Sequence, residues 1–159
     1  MTLPNRKLAR LQSFDYSSKG YYFITICTNN KQHIFGCVAD GSVHLNTFGC
    51  IVAEELDNIT NHFKMVEVLK YIVMPNHVHA VISINCAEGS RPFPTIPTII
   101  GLYKSGVSRK IHMSEPSMDV WQKSFYDHII RNENEYLRVW KYIDENPLKW
   151  ATDEYFTRL

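Results

Sequence analysis

The spacing of apolar residues changes between a period of two and a period near 3.6 along this 159-residue chain. Segments rich in β-branched and aromatic residues predict strands at 21–28, 65–73, 77–84 and 120–130. Helical spacing of apolar residues predicts helices at 48–63, 96–111 and 132–146. A small hairpin is predicted at 33–46, because Asp40-Gly41 is a favourable turn. The order of these elements restricts the fold more than any other feature of the chain.

Without the small hairpin and the last helix, the order of elements is βαββαβ. This is the order of the split βαβ, or ferredoxin-like, arrangement. We therefore expect an α+β protein, a ferredoxin-like split βαβ sandwich with a central antiparallel sheet and helices on one face, followed by a C-terminal tyrosine-bearing helix. In this topology the first and third main strands are central, so the strand at 77–84 should lie in the middle of the sheet.

The length of the chain fits one domain with a hydrophobic core. We expect a basic N-terminal arm at 1–18 and a single domain at 19–159. No segment has the length and apolarity of a membrane span, and the N-terminus lacks the apolar segment of a secretory signal. These features predict a cytoplasmic protein that does not bind a membrane. The four cysteines form no CxxC pair, which argues against a zinc ribbon.

The segment "MPNHVHAVI", at 74–82, places two histidines in the middle of an apolar run. Residues two apart on a strand face the same side, so His77 and His79 should project together. Neutral imidazoles with a shared direction can bind one metal ion. The pair alone fits hydrogen-bonded structural histidines as well, and a metal site would need at least one further ligand.

Two known histidine-based metal sites do not fit this segment. A histidine-triad nucleotide hydrolase would have another histidine where this chain has Val81. A cupin-like site would need a glutamate close downstream, but the first one, Glu88, follows the strand in a loop that contains prolines. The third ligand should therefore come from a different part of the chain.

The last predicted helix offers such a ligand. Tyr142 and Asn146 are four residues apart, which places them on one face of the helix. The apolar stripe of this helix is predicted to consist of Tyr136, Leu137, Val139, Trp140 and Ile143. Tyr142 lies outside this stripe. A tyrosine next to an amide oxygen can pair a nucleophile with a metal ligand, and an amphipathic surface tyrosine is the alternative.

Taken in order, these segments resemble the HUH-type single-tyrosine transposases, the group that includes REP-associated tyrosine transposases and the smallest insertion-sequence transposases. The resemblance covers nearly the whole chain. It rests on "YYFITICTNNKQHIFG" for the first strand, "MPNHVHAVI" for the His-hydrophobe-His strand, "TIIGLYKSGVSRKIH" for the next helix, "VWQKSFYDHIIRNENEY" for the following strand and turn, and "YIDENPLKW" for the tyrosine helix.

The resemblance implies a metal-dependent transposase that cleaves and rejoins single-stranded DNA at hairpin-flanked sites through a 5′-phosphotyrosine intermediate. His77, His79 and Asn146 match the metal ligands of the family, and Tyr142 matches its nucleophile. The implied metal is Mg²⁺ or Mn²⁺. Tyr126 and Tyr136 are competing candidates for the nucleophile, which we rank below Tyr142. A replication-initiator-type nickase and a domesticated hairpin-DNA-binding protein without strand transfer remain as alternatives.

The implied partners are single-stranded DNA hairpins, at the ends of a mobile element or in repetitive palindromes. The family includes dimers and monomers, so the resemblance leaves both a homodimer and a monomer open. The implied setting is the bacterial cytoplasm, with association to the nucleoid through DNA. The net charge is only +1, so composition by itself gives no support for DNA binding. Phosphate contacts are predicted from two local groups of basic residues, Arg6, Lys7 and Arg10 in the arm and Lys104, Arg109 and Lys110 in the second helix.

Overall fold

A computed structural model describes residues 20–85 and 94–156 of the chain. The strands in this part are β1 (Gly20–Cys27), β2 (Gly36–Ala39), β3 (Ser42–Leu45), β4 (Val66–Met74), β5 (His77–Ile84) and β6 (Tyr126–Ile130). The α-helices are α1 (Thr47–His62), α2 (Ile96–Ile111) and α3 (Glu133–Glu145). Short 3-10 turns lie at Asn29–Lys31 and Trp150–Thr152. The order of elements confirms the predicted α+β arrangement.

The main sheet is antiparallel and has the strand order β4-β5-β1-β6. The first and third main strands are therefore central, as the split βαβ topology predicts. Every residue of β5 is buried. A strand buried on both faces cannot show the alternation of apolar and polar residues of a half-exposed strand, and this explains the near-continuous apolar run at 77–84.

The small hairpin of β2 and β3 is present as predicted. Its turn residues Asp40 and Gly41 both have positive φ, at 52° and 72°. Positive φ at both central residues is the requirement of the two-residue turns that match the twist of a hairpin.

Helices α1 and α2 pack against one face of the sheet and form the main core with it. Asn46 caps α1 by accepting a hydrogen bond from the backbone of Gly49, and Thr95 caps α2 in the same way through Thr98. The buried residues of these helices that pack on the sheet are Val52, Leu56, Ile59, Ile96, Ile99, Ile100, Tyr103, Val107 and Ile111. This core covers only one face, so the other face of the sheet is available for α3 and the histidines.

Helix α3 packs on the opposite face of the sheet, in a smaller cluster with Val81 and Ile130. Asn132 caps this helix, because its Oδ1 accepts a hydrogen bond from Glu135 N at 2.9 Å. The Glu135 carboxylate accepts from Arg131 N rather than from Asn132 N. The predicted stripe is wrong at Leu137, which is 56% exposed, because the sheet contacts a narrower face of this helix than the sequence pattern indicates.

The last main strand is shorter than predicted, since β6 begins at Tyr126 and not at Val120. Val120 and Trp121 lie outside the strand, beside the end of β1, where Asn29 N donates to Val120 O and Gln122 N donates to Cys27 O. Both side chains are buried in the main core, which explains why the segment looks strand-like in the sequence.

In the described part of the chain no helix combines the length and the apolarity that a membrane span requires.

Candidate functional site

His77 and His79 lie on the face of the sheet opposite to α1 and α2. Their ring centroids are 4.6 Å apart, so the alternation of the strand brings both imidazoles to one place. They are 0% and 1% exposed. Val78 and Ala80, which alternate with the histidines along β5, point into the main core instead.

One ring nitrogen of each histidine is held by a neighbouring side chain. His77 Nδ1 is 2.8 Å from Asn76 Oδ1, and His79 Nδ1 is 2.8 Å from Thr25 Oγ1. Within the described residues, the other ring nitrogen, Nε2, has no hydrogen-bond partner in either histidine. Buried polar atoms normally have partners, so two adjacent exceptions indicate a site for a ligand.

Burial keeps both imidazoles neutral. It lowers the pKa of His77 to about 3, although the nearby Asn146 amide opposes this shift. Burial, together with the neighbouring His77, also holds the pKa of His79 well below its usual value. A neutral imidazole has a free lone pair on one ring nitrogen, and this neutral form binds metal ions.

Helix α3 brings Tyr142 and Asn146 to the histidines. The Tyr142 ring is edge-on to His79, with centroids 5.2 Å apart, and edge-on to Phe23 at 6.0 Å. Asn146 ends α3 as its C-cap and is 2% exposed. Its Oδ1, like the two histidine Nε2 atoms, is buried without a hydrogen-bond partner among the described residues. The structure therefore brings together all four residues that were predicted to form the site.

Asp153 is a further candidate ligand that the sequence analysis missed. One ligand atom from each of His77, His79 and Asp153 lies within 4.8 Å of the others. Burial raises the pKa of Asp153, and hydrogen bonds from Tyr155 N and the Asn146 side chain oppose the rise. Asp153 follows the 3-10 turn after α3, where no periodic pattern points to it. Its only sequence signal is a carboxylate shortly after the tyrosine helix.

The donor set is suited to a hard or borderline divalent ion. Two imidazole nitrogens, one amide oxygen and one carboxylate oxygen form a mixed nitrogen and oxygen environment without a thiolate. Mn²⁺ accepts such a mixture readily, and Mg²⁺ accepts its oxygen atoms. A divalent ion bound here would provide a partner for the three unpartnered atoms of His77, His79 and Asn146.

Tyr142 opens onto a cavity of about 240 Å³, whose lining residues are Tyr142, Asn146, Lys149, Thr152, Asp153 and Glu154. Burial and the carboxylates of Asp153 and Glu154 raise the pKa of Tyr142 to about 12, while the Asn146 side chain opposes this rise. The phenol is therefore protonated at neutral pH. A cation between Asp153 and the histidines would neutralise the Asp153 carboxylate and so reverse part of the rise in the pKa of Tyr142.

Aromatic residues after α3 cover the histidines. Tyr155 lies 4.7 Å from His77 and 5.6 Å from His79 between ring centroids, and Trp150 lies 5.9 Å from His77. Burial is the main cause of the raised pKa of the Tyr155 phenol. These rings exclude water from the histidine side, so the cavity next to Tyr142 is the open side of the site.

The competing tyrosines lie elsewhere. Tyr136 makes ring contacts with Tyr21 and Trp140, and Tyr126 is an exposed residue of β6. Neither has a ring contact with His77 or His79 in the described structure. This placement favours Tyr142 as the nucleophile.

The basic residues of α2 that were predicted to contact phosphates have different surroundings in the structure. Lys104 donates to the carbonyl of Gln122, and Lys110 forms ion pairs with Glu54 and Glu55. Arg109 is exposed. The other predicted contacts, Arg6, Lys7 and Arg10, lie outside the described residues. The charge of Lys110 is partly neutralised by its carboxylate partners, which leaves Arg109 as the better candidate on α2.

The sequence of this chain matches one family of known proteins. A family model described as "Transposase IS200 like" matches residues 16–146. An uncharacterised protein from Haemophilus influenzae is 34% identical to this chain, and the alignment covers 96% of this chain and 93% of that protein.

Two solved structures have a similar fold. A REP-associated tyrosine transposase bound to a REP hairpin gives a TM-score of 0.59 at 20% identity, over 88% of this chain and 74% of that one. A candidate transposase from Deinococcus radiodurans gives a TM-score of 0.54 at 16% identity, over 85% of this chain and 95% of that one. These two structures confirm the predicted fold.

Proposed function

Since this chain belongs to the IS200-like transposase family, we propose that it cleaves and rejoins single-stranded DNA at hairpin-flanked sites in a metal-dependent reaction. One observation carries this proposal. Three buried ligand atoms without hydrogen-bond partners, on His77, His79 and Asn146, lie next to a tyrosine that faces an open cavity.

Tyr142 is the proposed nucleophile. Its Oη would attack the scissile phosphorus, form an Oη–P bond and break the bond between phosphorus and the 3′-oxygen. The phenol would lose its proton, and the departing 3′-oxygen would gain one. The resulting 5′-phosphotyrosine retains one phosphodiester bond, so a different DNA 3′-hydroxyl could reverse the step and complete strand transfer without ATP.

The side chains of His77, His79 and Asn146 would hold a divalent ion, Mn²⁺ or Mg²⁺, and Asp153 is a further ligand. When bound, such an ion withdraws charge from phosphate oxygens as a Lewis acid. The chain itself contributes neutral imidazoles, an amide oxygen held at the end of α3 and aromatic rings that exclude water. It also fixes the position of Tyr142 through the edge-on contacts with His79 and Phe23.

The proposed substrate is a DNA hairpin with an adjacent single strand. The similar solved structure that contains a REP hairpin supports this choice. Exposed Arg109 on α2 would contribute a phosphate contact.

A covalent adduct tests the proposal directly. The wild-type chain is incubated with Mn²⁺ and a set of labelled single strands that carry hairpins from the DNA flanking its gene, and protein-linked DNA is separated under denaturing conditions. We expect an adduct with the wild type and with Tyr126→Phe, and at least 100-fold less with Tyr142→Phe, because only Tyr142 lies beside the proposed metal ligands. A full yield of adduct from Tyr142→Phe would contradict the assignment of the nucleophile.

A hairpin-binding protein without strand transfer is the second candidate. The complete burial of His77 and His79 behind Trp150 and Tyr155 favours it, because this arrangement closes one side of the site. A native binding assay on the same labelled strands, run beside the adduct assay, separates the two functions. Tight hairpin binding with every strand uncut in Mn²⁺ would support the binding function and reject strand transfer.

A further inference from the structure

Asn76 lies in the turn between β4 and β5, directly before His77, and is completely buried. Its side-chain nitrogen donates to Tyr155 O at 2.7 Å and to Lys31 O at 3.2 Å. Its Oδ1 is 2.8 Å from His77 Nδ1. The side-chain nitrogen and the oxygen of this amide therefore both have partners, and the partners belong to three different segments of the chain.

The two carbonyl oxygens determine the orientation of the Asn76 amide. In the opposite orientation, Oδ1 would face the carbonyls of Lys31 and Tyr155, which places acceptors against an acceptor. The NH₂ group must therefore face the carbonyls, and Oδ1 must face His77. An amide oxygen has no proton to donate, so the hydrogen bond requires the proton to be on His77 Nδ1.

The proton on Nδ1 leaves the lone pair of neutral His77 on Nε2. This is the buried nitrogen without a hydrogen-bond partner among the described residues. The partner of His79 differs in this respect. The Thr25 hydroxyl, 2.8 Å from His79 Nδ1, can donate or accept, so it does not determine the tautomer of His79.

We propose that Asn76 is a positioning residue that holds His77 as the Nδ1-protonated tautomer and directs its Nε2 lone pair to a divalent metal ion. The same amide ties the segment after α3 to this histidine through Tyr155 O, two residues beyond Asp153. The metal-binding part of this inference rests on the proposed function. Hydrogen-bond partners of ligand histidines commonly change metal affinity by about 10- to 100-fold when they are replaced.

The tautomer can be measured without metal. In the metal-free chain labelled with ¹⁵N at histidine, long-range ¹H–¹⁵N correlation distinguishes a protonated ring nitrogen from an unprotonated one. We expect wild-type His77 to show one tautomer, with the proton on Nδ1. A proton on Nε2 of His77 would overturn the proposal, whatever the variants show.

Two substitutions at Asn76 separate its role as the acceptor for His77 Nδ1 from the other roles of the amide. In Asn76→Asp, burial beside two carbonyls favours the protonated carboxyl, whose hydroxyl can donate to Tyr155 O while the other oxygen accepts from His77 Nδ1, so we expect it to keep the tautomer. Asn76→Ala removes the acceptor, so we expect both tautomers of His77 and a Kd for Mn²⁺ about 10- to 100-fold higher by calorimetry. Asn61→Ala, at an exposed asparagine near the end of α1, is the control and should change neither quantity.

Two results would overturn the proposal through the variants. The first is a single Nδ1-protonated tautomer in Asn76→Ala with wild-type affinity for Mn²⁺. The second is loss of the tautomer in Asn76→Asp. If Asn76→Ala does not fold, the wild-type spectrum and Asn76→Asp still decide the assignment. A wild-type chain with the expected tautomer but no affinity for Mn²⁺ would reject the proposed metal-dependent function and uphold the effect of Asn76 on His77.

Discussion

The phenol ring of Tyr142 lies edge-on to the imidazole of His79, with their centroids 5.2 Å apart. The two residues come from α3 and β5, which pack through the small cluster of Val81, Ile130 and Ile143. The position of the proposed nucleophile relative to the proposed metal ligands therefore depends on the docking of one helix. This relationship leads to separate predictions for the ligands, for the helix and for the surface that meets DNA.

Mn²⁺ should raise the thermal stability of the chain. A ligand that binds only the folded state at 100 times its Kd contributes about 2.7 kcal/mol. For a chain of this size we expect an increase in Tm of about 5–10 °C, measured by differential scanning calorimetry. His79→Ala should lose most of this increase because it removes one of the unpartnered nitrogens. His62→Ala, at an exposed histidine, should retain it, and an equal increase in all three proteins would reject the site.

Asp153→Asn should weaken Mn²⁺ binding by about tenfold or more, since it removes a carboxylate whose oxygen lies within 4.8 Å of the histidine ligand atoms. Glu154→Gln is the matched control. Glu154 also raises the pKa of Tyr142, but it does not belong to this cluster. Titration calorimetry with both variants measures the difference. Equal losses of affinity would show that Asp153 acts through overall charge and not as a ligand.

Acid should destabilise the metal-free chain below pH 6.5. The folded pKa of His77 is about 3, so between pH 6.5 and pH 3 the unfolded chain takes up a proton that the folded chain does not. The free energy of unfolding should fall by about 1.4 kcal/mol at pH 5.5 from His77, and His79 should add to this loss.

Urea unfolding at pH 7 and pH 5.5 measures this difference. His77→Ala should show a smaller loss of stability between the two pH values, whereas His62→Ala should behave like the wild type. The raised pKa of Asp153 acts in the opposite direction at lower pH, so the comparison stops at pH 5.5. An unchanged pH dependence in His77→Ala would contradict the burial of a neutral imidazole.

Half of the site was predictable from periodicity. A period of two places His77 and His79 on one face of a strand, and a spacing of four places Tyr142 and Asn146 on one face of a helix. These relations hold for any strand and any helix, because backbone geometry sets them. The sheet order also followed from the order of elements, since the split βαβ topology allows few alternatives.

The other half depends on contacts that no local period encodes. Asp153 and Tyr155 belong to irregular backbone after α3, and their position follows from how this segment returns to the sheet. Hydrogen bonds such as Asn76 Nδ2 to Tyr155 O hold it there, between residues far apart in sequence. Leu137 is exposed for a related reason, because a helical stripe gives a direction but not the width of the contact with the sheet.

Arg109 and Lys110 should differ in their effect on DNA binding although they are adjacent. Lys110 Nζ is 2.6 Å from Glu55 Oε1 and 3.1 Å from Glu54 Oε1, whereas Arg109 is exposed. We expect Arg109→Gln to weaken hairpin binding and to reduce the slope of log K against log salt by about one unit, and Lys110→Gln to change the slope less. Fluorescence anisotropy at several salt concentrations measures both. Equal slopes for the two variants would show that the ion pairs of Lys110 break on binding.

Lys70 should position the nucleophile through α3. Its Nζ is 2.6 Å from Asp144 Oδ1 and 4.5 Å from the centroid of the Trp140 ring, and these two residues lie two positions after and two positions before Tyr142 in the sequence of α3. Lys70→Met retains the aliphatic chain but removes the charge. We expect a stability loss near 1 kcal/mol, since the pair is partly exposed, and a larger, several-fold fall in the rate of adduct formation.

Lys141→Met is the matched control for this effect. Lys141 is a more exposed residue of α3, and its ion pair with Glu145, at 3.6 Å, lies within the same helix. Removing that charge leaves the contact between helix and sheet unchanged, so the rate of adduct formation should stay near that of the wild type. Single-turnover rates and urea unfolding, measured on both variants, separate an effect on the position of Tyr142 from an effect on the stability of the chain. Equal rate losses would show that the loss of a positive charge, and not the contact between α3 and β4, governs the reaction.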